Sequence, residues 1–295
     1  MTMKIQLNDY PALYRSADES SNTEQSEYLN LLRLEYAFLF VAAVMSMQFS
    51  DSPLYYSVYA LVFILAAVVL LFRASRKPEQ DWYRCRALAE SIKTSTWRYM
   101  MRAEPFLDAN TVQQPRAEFR NFLTEILRAN SHIGSRIANR IADEEQITLK
   151  MEDVRALNLE QRKAIYREHR IANQRTWYAK KSSDNKKSSK RWVAFTVIIY
   201  IFATITVLVK IAKPDWNLLP TEPLTVLAAS LIAWIQVKKF NELASSYSLT
   251  AHEIGILLPR LDEVRDEESF SDFVNEAELA FSREHTQWVA RQFQD

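Results

Sequence analysis

Four uncharged apolar runs, arranged as two pairs, constrain this chain more than any other feature. Ser52–Phe72 is 21 residues long and Trp192–Val209 is 18, whereas Tyr36–Ser50 and Leu224–Val237 are 15 and 14. An α-helix rises about 1.5 Å per residue, so roughly 20 residues cross a ~30 Å hydrocarbon core. The second and third runs are long enough to span unaided. The first and fourth are short, yet each lies close to a run that spans, and a spanning helix without a return leaves its flanks on opposite sides. Two membrane hairpins, at about 34–72 and 192–237, are the simplest arrangement.

Only two glycines occur, Gly134 and Gly255, where an average usage of about 7% would supply roughly twenty. That leaves little chemistry for strand hairpins, dinucleotide loops or P-loops. Strand-like residues such as Val197–Tyr200 fall inside a membrane run, where a lone strand leaves its backbone groups unpaired. The sequence therefore predicts an all-α integral membrane protein: two transmembrane helical hairpins, hence four membrane helices, with long cytoplasmic helices. A soluble bundle with very apolar core helices is the competing architecture.

Net charge is +1, so no global field argues for nucleic acid. The distribution says more. Lys180, Lys181, Lys186, Lys187, Lys190 and Arg191 form a basic run abutting the third apolar segment, and Asp262, Glu263, Asp266, Glu267 and Glu268 form an acidic cluster. Cations set membrane orientation. Arg33 precedes the first run, Arg73, Arg76 and Lys77 follow the second, the basic run precedes the third, and Lys238 and Lys239 follow the fourth. Asp51–Pro53 carries no cation; Lys210 and Lys213 in the second outer loop run against the trend. The balance places both termini and residues 73–191 in the cytoplasm, on one side of a multi-pass membrane protein. The single Cys85 excludes an intrachain disulfide and suits a reducing side. No signal peptide is expected in the polar first 28 residues.

The flanks read as helices over Trp82–Arg102, from Pro115 onward, over Leu159–Lys181 and over Phe270–Phe293. Val237–Leu258 is expected to prolong the fourth membrane helix. Ser182–Ser189, polar and lysine-rich, is expected to be the most flexible stretch, and Ala103–Gln114 the next. The organisation expected is a first module over 1–110, a cytoplasmic helical connector over 111–158, and a second module over 159–295.

With helix, hairpin and helix repeated, the flanks carry a family resemblance. Tyr10-Pro11-Ala-Leu13-Tyr14-Arg15, Asp18, Ser21, Gln25 and Tyr28 resemble the opening of one subfamily of SLATT proteins, and Trp82 through Arg86, Glu90, Lys93, Trp97, Arg98 and Tyr99 resemble the segment after its hairpin. Tyr166, Arg170, Gln174, Trp177, Tyr178 and Lys180 resemble the lead-in to a second subfamily. Such proteins are bacterial two-transmembrane effectors found beside nucleotide second-messenger synthases and sensors in antiphage systems. The resemblance implies an effector of abortive infection that self-associates (a tetramer, for example) into a pore or ion channel, gated by a nucleotide or oligonucleotide from a companion nucleotidyltransferase. A non-conducting membrane scaffold recruiting a cytoplasmic partner is the alternative.

The four histidines lack metal-ligand spacing, and no GxSxG, Walker or kinase pattern appears. No catalytic residue, metal or cofactor is therefore expected, and no enzyme. The candidate nucleotide-binding residues are Arg84, Arg86, Lys93 and Arg98 on one amphipathic helix, Arg136 and Arg140 one turn apart, Trp177 and Tyr178 as stacking surfaces, and Lys180 and Lys181. Lys186, Lys187, Lys190, Arg191, Lys238 and Lys239 are placed for lipid headgroups. The basic run also reads as a plain solvated linker, and the arginine face as one paired with acidic neighbours. A pore needs polar side chains facing water inside the membrane. Thr196, Thr204, Thr206, Ser230 and Gln236 are the candidates, with Ser46 and Gln48 in the first run, although such hydroxyls more often bond their own backbone. The run centres carry no charge, which favours an uncharged constriction gated by dewetting over proton-coupled transport.

Overall fold

A computed structural model of the chain describes residues 4–108, 113–134, 136–137 and 143–292, without the side chains of His132 and 283–292. Among the described residues every regular element is helical. They form two compact units, each built from both halves of the sequence: Ser26–Pro78 with Ser182–Ser245, and Met1–Gln25 with Glu79–Lys181 and Ser246–Asp295.

The first of these is the membrane unit. It contains most of α1 (Ala12–Met45) and α7 (Asn173–Ala212), with α2 (Pro53–Arg76) and α8 (Thr221–Lys238). Helix α2 starts where sequence chemistry places it: Pro53 occupies the first turn and the Ser52 hydroxyl accepts the Tyr55 N–H at 3.2 Å, satisfying one orphan donor. Tyr55 donates to the Met45 carbonyl, closing the turn. At the other end of the hairpin Arg73 pairs with Glu35 at 3.0 Å and Arg76 with Glu27 at 3.4 Å. In the second hairpin Ile199, Ala228 and Leu231 pack with Trp192, Leu224 and Leu227. Lys210 is held by the carbonyls of Pro214 (2.7 Å) and Trp216 (2.9 Å) and by Asn217 Oδ1 (3.0 Å), so this outer-loop cation is tied locally.

Among the described residues four helices are long and apolar enough to cross a membrane, and in the two most apolar only 11% of the relevant 18-residue window is buried. A core helix of a soluble bundle would be covered on most sides. Apolar surface this continuous belongs against lipid, where helices satisfy their own backbone. The chain is a multi-pass helical membrane protein.

The second, globular unit holds α3 (Pro78–Met101), α4 (Gln113–Ala129), α5 (Leu149–Ala156), α6 (Leu159–Ile165), a π-helical segment (Tyr166–Ala172), most of α9 (Phe240–Leu257), and α10 (Glu267–Gln292). Thr148 caps α5, and Asn158 with Gln161 forms a reciprocal capping box at α6. Trp97, Tyr99, Phe106, Phe119, Tyr166 and Phe270 are among the largest fully buried side chains. Two buried arginines close the end of α3, where the last carbonyls lack helical partners. Arg155 donates to the Tyr99 carbonyl, to Phe106 O (2.9 Å) and to Asp108 Oδ1 (2.7 Å). Arg162 donates to Met101 O at 2.7 Å and pairs with Glu267.

Three expectations from the sequence need correction. Ser182–Ser189 is helical within α7; Ser189 is buried and Ser182 donates to the Ala244 carbonyl at 2.7 Å. Its polar residues include no glycine or proline, so polarity alone was a poor sign of a break. In the stretch Ala103–Gln114, Ala103 and Phe106 are core residues, with Phe106 edge-on to Phe119, and residues 109–112 lie outside the described residues. Finally, α8 does not run on through Leu258: Lys239 is left-handed at φ 46° and α9 restarts after it. Gln48, Lys77 and Arg102 are also left-handed, while neither glycine is. A chain this poor in glycine ends four helical stretches on residues with a Cβ, at about 1–2 kcal/mol each.

Candidate functional site

The signature residues of both halves converge inside the globular unit. On α3 Arg86 reaches Asp18 of α1 at 3.1 Å and Glu90 at 2.7 Å. Trp97 Nε1 donates to the Tyr10 hydroxyl at 3.0 Å, and the Tyr10 and Tyr14 rings lie 4.9 Å apart. Burial pushes the Tyr10 phenol up to about 12. Across the core Arg170 grips Glu278 of α10 with two charge-assisted bonds, Nε to Oε1 at 2.8 Å and Nη2 to Oε2 at 2.6 Å, and Tyr166 donates to Oε1 at 3.0 Å. Both charges are buried, Arg170 at 2% exposure and Glu278 at 0%. Desolvation works against the guanidinium, but Glu278 outweighs it and holds the Arg170 pKa above its ordinary value.

The π-helical segment makes this geometry feasible. Glu267 and Glu278 are eleven residues apart on α10, only about 20° out of phase at 3.6 residues per turn. Their partners Arg162 and Arg170 are eight apart, which in a pure α-helix leaves them ~80° out of phase. Hydrogen bonding from i to i+5 widens the turn to roughly 4.4 residues, which returns Arg170 to the face of Arg162. Both arginines then meet the same face of one helix.

The candidate nucleotide-binding cations separate by how they are already used. Asp81 pairs with Arg84 (3.6 Å) and Arg136 (3.1 Å) together; Arg86 is engaged as above. Arg140 lies outside the described residues. Lys93 differs from these. It follows Arg86 by two turns, is half-buried, and makes no hydrogen bond or ion pair to any described residue. Burial depresses its pKa, Glu90 and Asp18 oppose this, and Arg170 and Arg86 deepen it. Arg98 keeps a buried Nε without a hydrogen-bond partner among the described residues. Trp177 is partly exposed, with Tyr247 edge-on at 5.5 Å and Lys181 Nζ 5.7 Å from its ring centre. Tyr178 is buried and donates to the Phe281 carbonyl, so its ring is core. Lys180 and Lys181 are exposed.

In the membrane unit Thr196 donates to Trp192 O, Thr204 to Tyr200 O and Thr206 to Ala203 O, and Thr206 also accepts from Thr221 at 3.1 Å. Thr204 and Gln236 lie on exposed faces and Ser230 is half-buried. Ser46 donates back to Ala43 O, and Gln48 sits in the turn. Lys186, Lys187, Lys190 and Arg191 are exposed along α7; Lys238 and Lys239 are half-buried at the end of α8. Glu278, absent from the candidates drawn from sequence, had no local signal: its partner is 108 residues away.

A double membrane hairpin whose charged signature residues assemble in a separate helical unit defines the class: a two-transmembrane effector architecture in tandem. Comparison with known families agrees. Residues 11–163 match the SMODS and SLOG-associating 2TM effector domain 3, and residues 166–288 match the SMODS and SLOG-associating 2TM effector domain 1. The chain belongs to this SLATT family, with one domain of each type in series. No curated protein and no solved structure matches it.

Proposed function

We propose that the protein is a bacterial inner-membrane effector of an antiphage, abortive-infection system. On this reading it self-associates into a pore or ion channel gated by a nucleotide or oligonucleotide from a companion nucleotidyltransferase, and it is not an enzyme. Both termini and the globular unit lie in the cytoplasm, where the signal is made. One observation carries the reading: signature residues of both effector domains form ion pairs within one globular unit, the part-buried pairs of Arg86 with Asp18 and Glu90 and the buried Arg170–Glu278 pair, beside a lysine with no ion-pair partner among the described residues. A phosphate at Lys93 would supply that missing counter-charge. Gating further requires that the signal bind open and closed states with different affinity.

The scaffold alternative has its own support, since the hydroxyls of Thr196, Thr204 and Thr206 are satisfied by their own helix and need no pore water. Inducing the chain with its companion synthase and following a potential-sensitive dye tests the first reading, which predicts collapse of the membrane potential. Lys93→Gln should blunt the response at equal protein level. Replacing Thr204, Thr206 and Gln236 by leucine should abolish conduction in a channel and leave a scaffold active. Absence of depolarisation in wild type removes the pore.

A further inference from the structure

Arginines that are wholly or partly buried in the globular unit are paired with acids, Arg155 with Asp108, Arg162 with Glu267 and Arg170 with Glu278 among them. Arg98 is the exception among the described residues. It is half-buried on α3, makes no ion pair or hydrogen bond to any of them, and keeps its buried Nε without an acceptor. An orphaned buried donor costs about 1–3 kcal/mol, and a charged one more. Burial of this group therefore calls for an oxygen acceptor from outside the unit.

The nearest acid is already engaged. Burial holds the Tyr166 phenol well above its ordinary value, and the Arg98 charge is among those that oppose this. The carboxylate beside that phenol, Glu278, accepts from both Arg170 and Tyr166. Lys93 borders the same trio. Burial lowers its pKa, Glu90 opposes this, and the Arg170 charge deepens it. Lys93 and Arg98 are five residues apart, ~7.5 Å along the axis of α3 and ~140° around it. Only residues three or four apart are neighbours on a helix surface, and the fully buried Trp97 falls in the arc between these two. The two cations are placed for two oxyanions and not for one.

We propose that Lys93 and Arg98 are two separate subsites for one anionic ligand, so that the signal read by this unit presents two phosphate groups rather than one. The proposal rests on the reading of Lys93 as a phosphate contact and adds Arg98 as the second. The fork of guanidinium N–H donors matches two oxygens of one phosphate, while the Lys93 ammonium meets the other phosphate as a point charge. A ligand with a single phosphate satisfies one cation and leaves the other as it is.

The test uses the full chain purified in neutral detergent, with calorimetric titration of AMP, which has one phosphate, and of the linear dinucleotide pApA, which has two. Wild type should bind pApA at least about tenfold tighter than AMP, the scale of one charge-assisted hydrogen bond. Lys93→Gln and Arg98→Gln should each bring the two affinities to within about twofold, and Arg98→Lys should recover part of the preference. Arg128→Gln, at an exposed arginine of α4, should leave the preference unchanged. Persistence of the preference in Arg98→Gln would overturn the second subsite and leave the Lys93 reading intact, whereas persistence in Lys93→Gln would overturn that reading. Equal affinity of wild type for the two nucleotides would overturn the two-phosphate ligand, and binding of neither would overturn both. Should Arg98→Gln fail to fold, phenylglyoxal labelling of wild type, read by peptide mass spectrometry, decides the matter: shielding of Arg98 by pApA upholds the subsite, and equal labelling with and without pApA refutes it.

Discussion

Glu278→Leu is the sharpest perturbation of the globular unit. The wild-type carboxylate has no exposure and accepts three hydrogen bonds, two from Arg170 and one from Tyr166. Leucine leaves the Arg170 guanidinium, itself 2% exposed, as an uncompensated buried charge, which costs about 3–5 kcal/mol. The orphaned Tyr166 hydroxyl adds to this, so the loss should reach about 4 kcal/mol or more. For a body of 150–250 residues each kcal/mol moves Tm by about 2–4 °C, so the drop should be of the order of 10 °C. Trp97, in edge contact with Tyr166 at 5.7 Å, makes tryptophan fluorescence a suitable probe in a thermal ramp. The control is the double change Arg170→Met with Glu278→Leu, which removes both charges and should recover all but about 1 kcal/mol. A single variant that loses under ~1 kcal/mol, or a double variant as unstable as the single, would refute the reasoning that a paired charge, rather than packing volume, sets the cost.

Burial works against the Glu152 charge, but hydrogen bonds from Arg116 and Tyr99 outweigh it and hold the carboxyl below its usual range. Its stabilising contribution is therefore complete above pH ~4.5 and lost as pH falls through the lowered folded value; Glu152→Gln should flatten that part of an acid-unfolding curve. Cys85 is buried and its thiol is pushed up to about 11 by desolvation, with Glu24 and Asp81 adding. Maleimide labelling at pH 7.5 should accordingly be negligible until denaturant is added, and rapid labelling of folded protein would contradict this burial. Because Lys77 and Arg102 are left-handed, Lys77→Gly and Arg102→Gly relieve backbone strain, although glycine's looser unfolded chain takes back part of the gain. Lys77→Gly should raise stability by up to about 1 kcal/mol, while Arg102→Gly should gain less, since it also removes the Arg102–Asp108 pair; chemical denaturation of the two side by side measures the difference.

The membrane hairpins were legible because span length and absence of charge are local properties, visible in Ser52–Phe72 and Trp192–Val209. The helical character of the flanks was legible for the same reason. What sequence could not show was pairing at a distance. Asp18 and Arg86 stand 68 residues apart and Arg170 and Glu278 stand 108 apart, and only the fold brings them together. Four helix ends were hidden because lysine, arginine and glutamine occupy the left-handed positions that glycine normally announces. The helix through Ser182–Ser189 was hidden because a hydrated lysine-serine run looks alike in a helix and in a coil. Among the arginines and lysines the sequence offered as equals, the fold drew the distinctions, through Asp81 for Arg84 and Arg136, and through the absence of an ion pair for Lys93 among the described residues.

The π-helical segment also makes chain length itself a constraint. Between Arg162 and Arg170 the count of residues decides which helix type brings both arginines to the carboxylates of α10: a spacing of eight needs the π-helical turn, and a spacing of seven would not. Deleting the exposed Glu168 would leave the two arginines seven apart, about 20° out of phase in a plain α-helix, so the pairs with Glu267 and Glu278 should survive while the wide turn is lost. Relatives one residue shorter in this stretch should then run as plain α-helix there and keep both carboxylates, so an aligned gap should travel with the loss of the π-helical turn and not with the loss of Glu267 or Glu278.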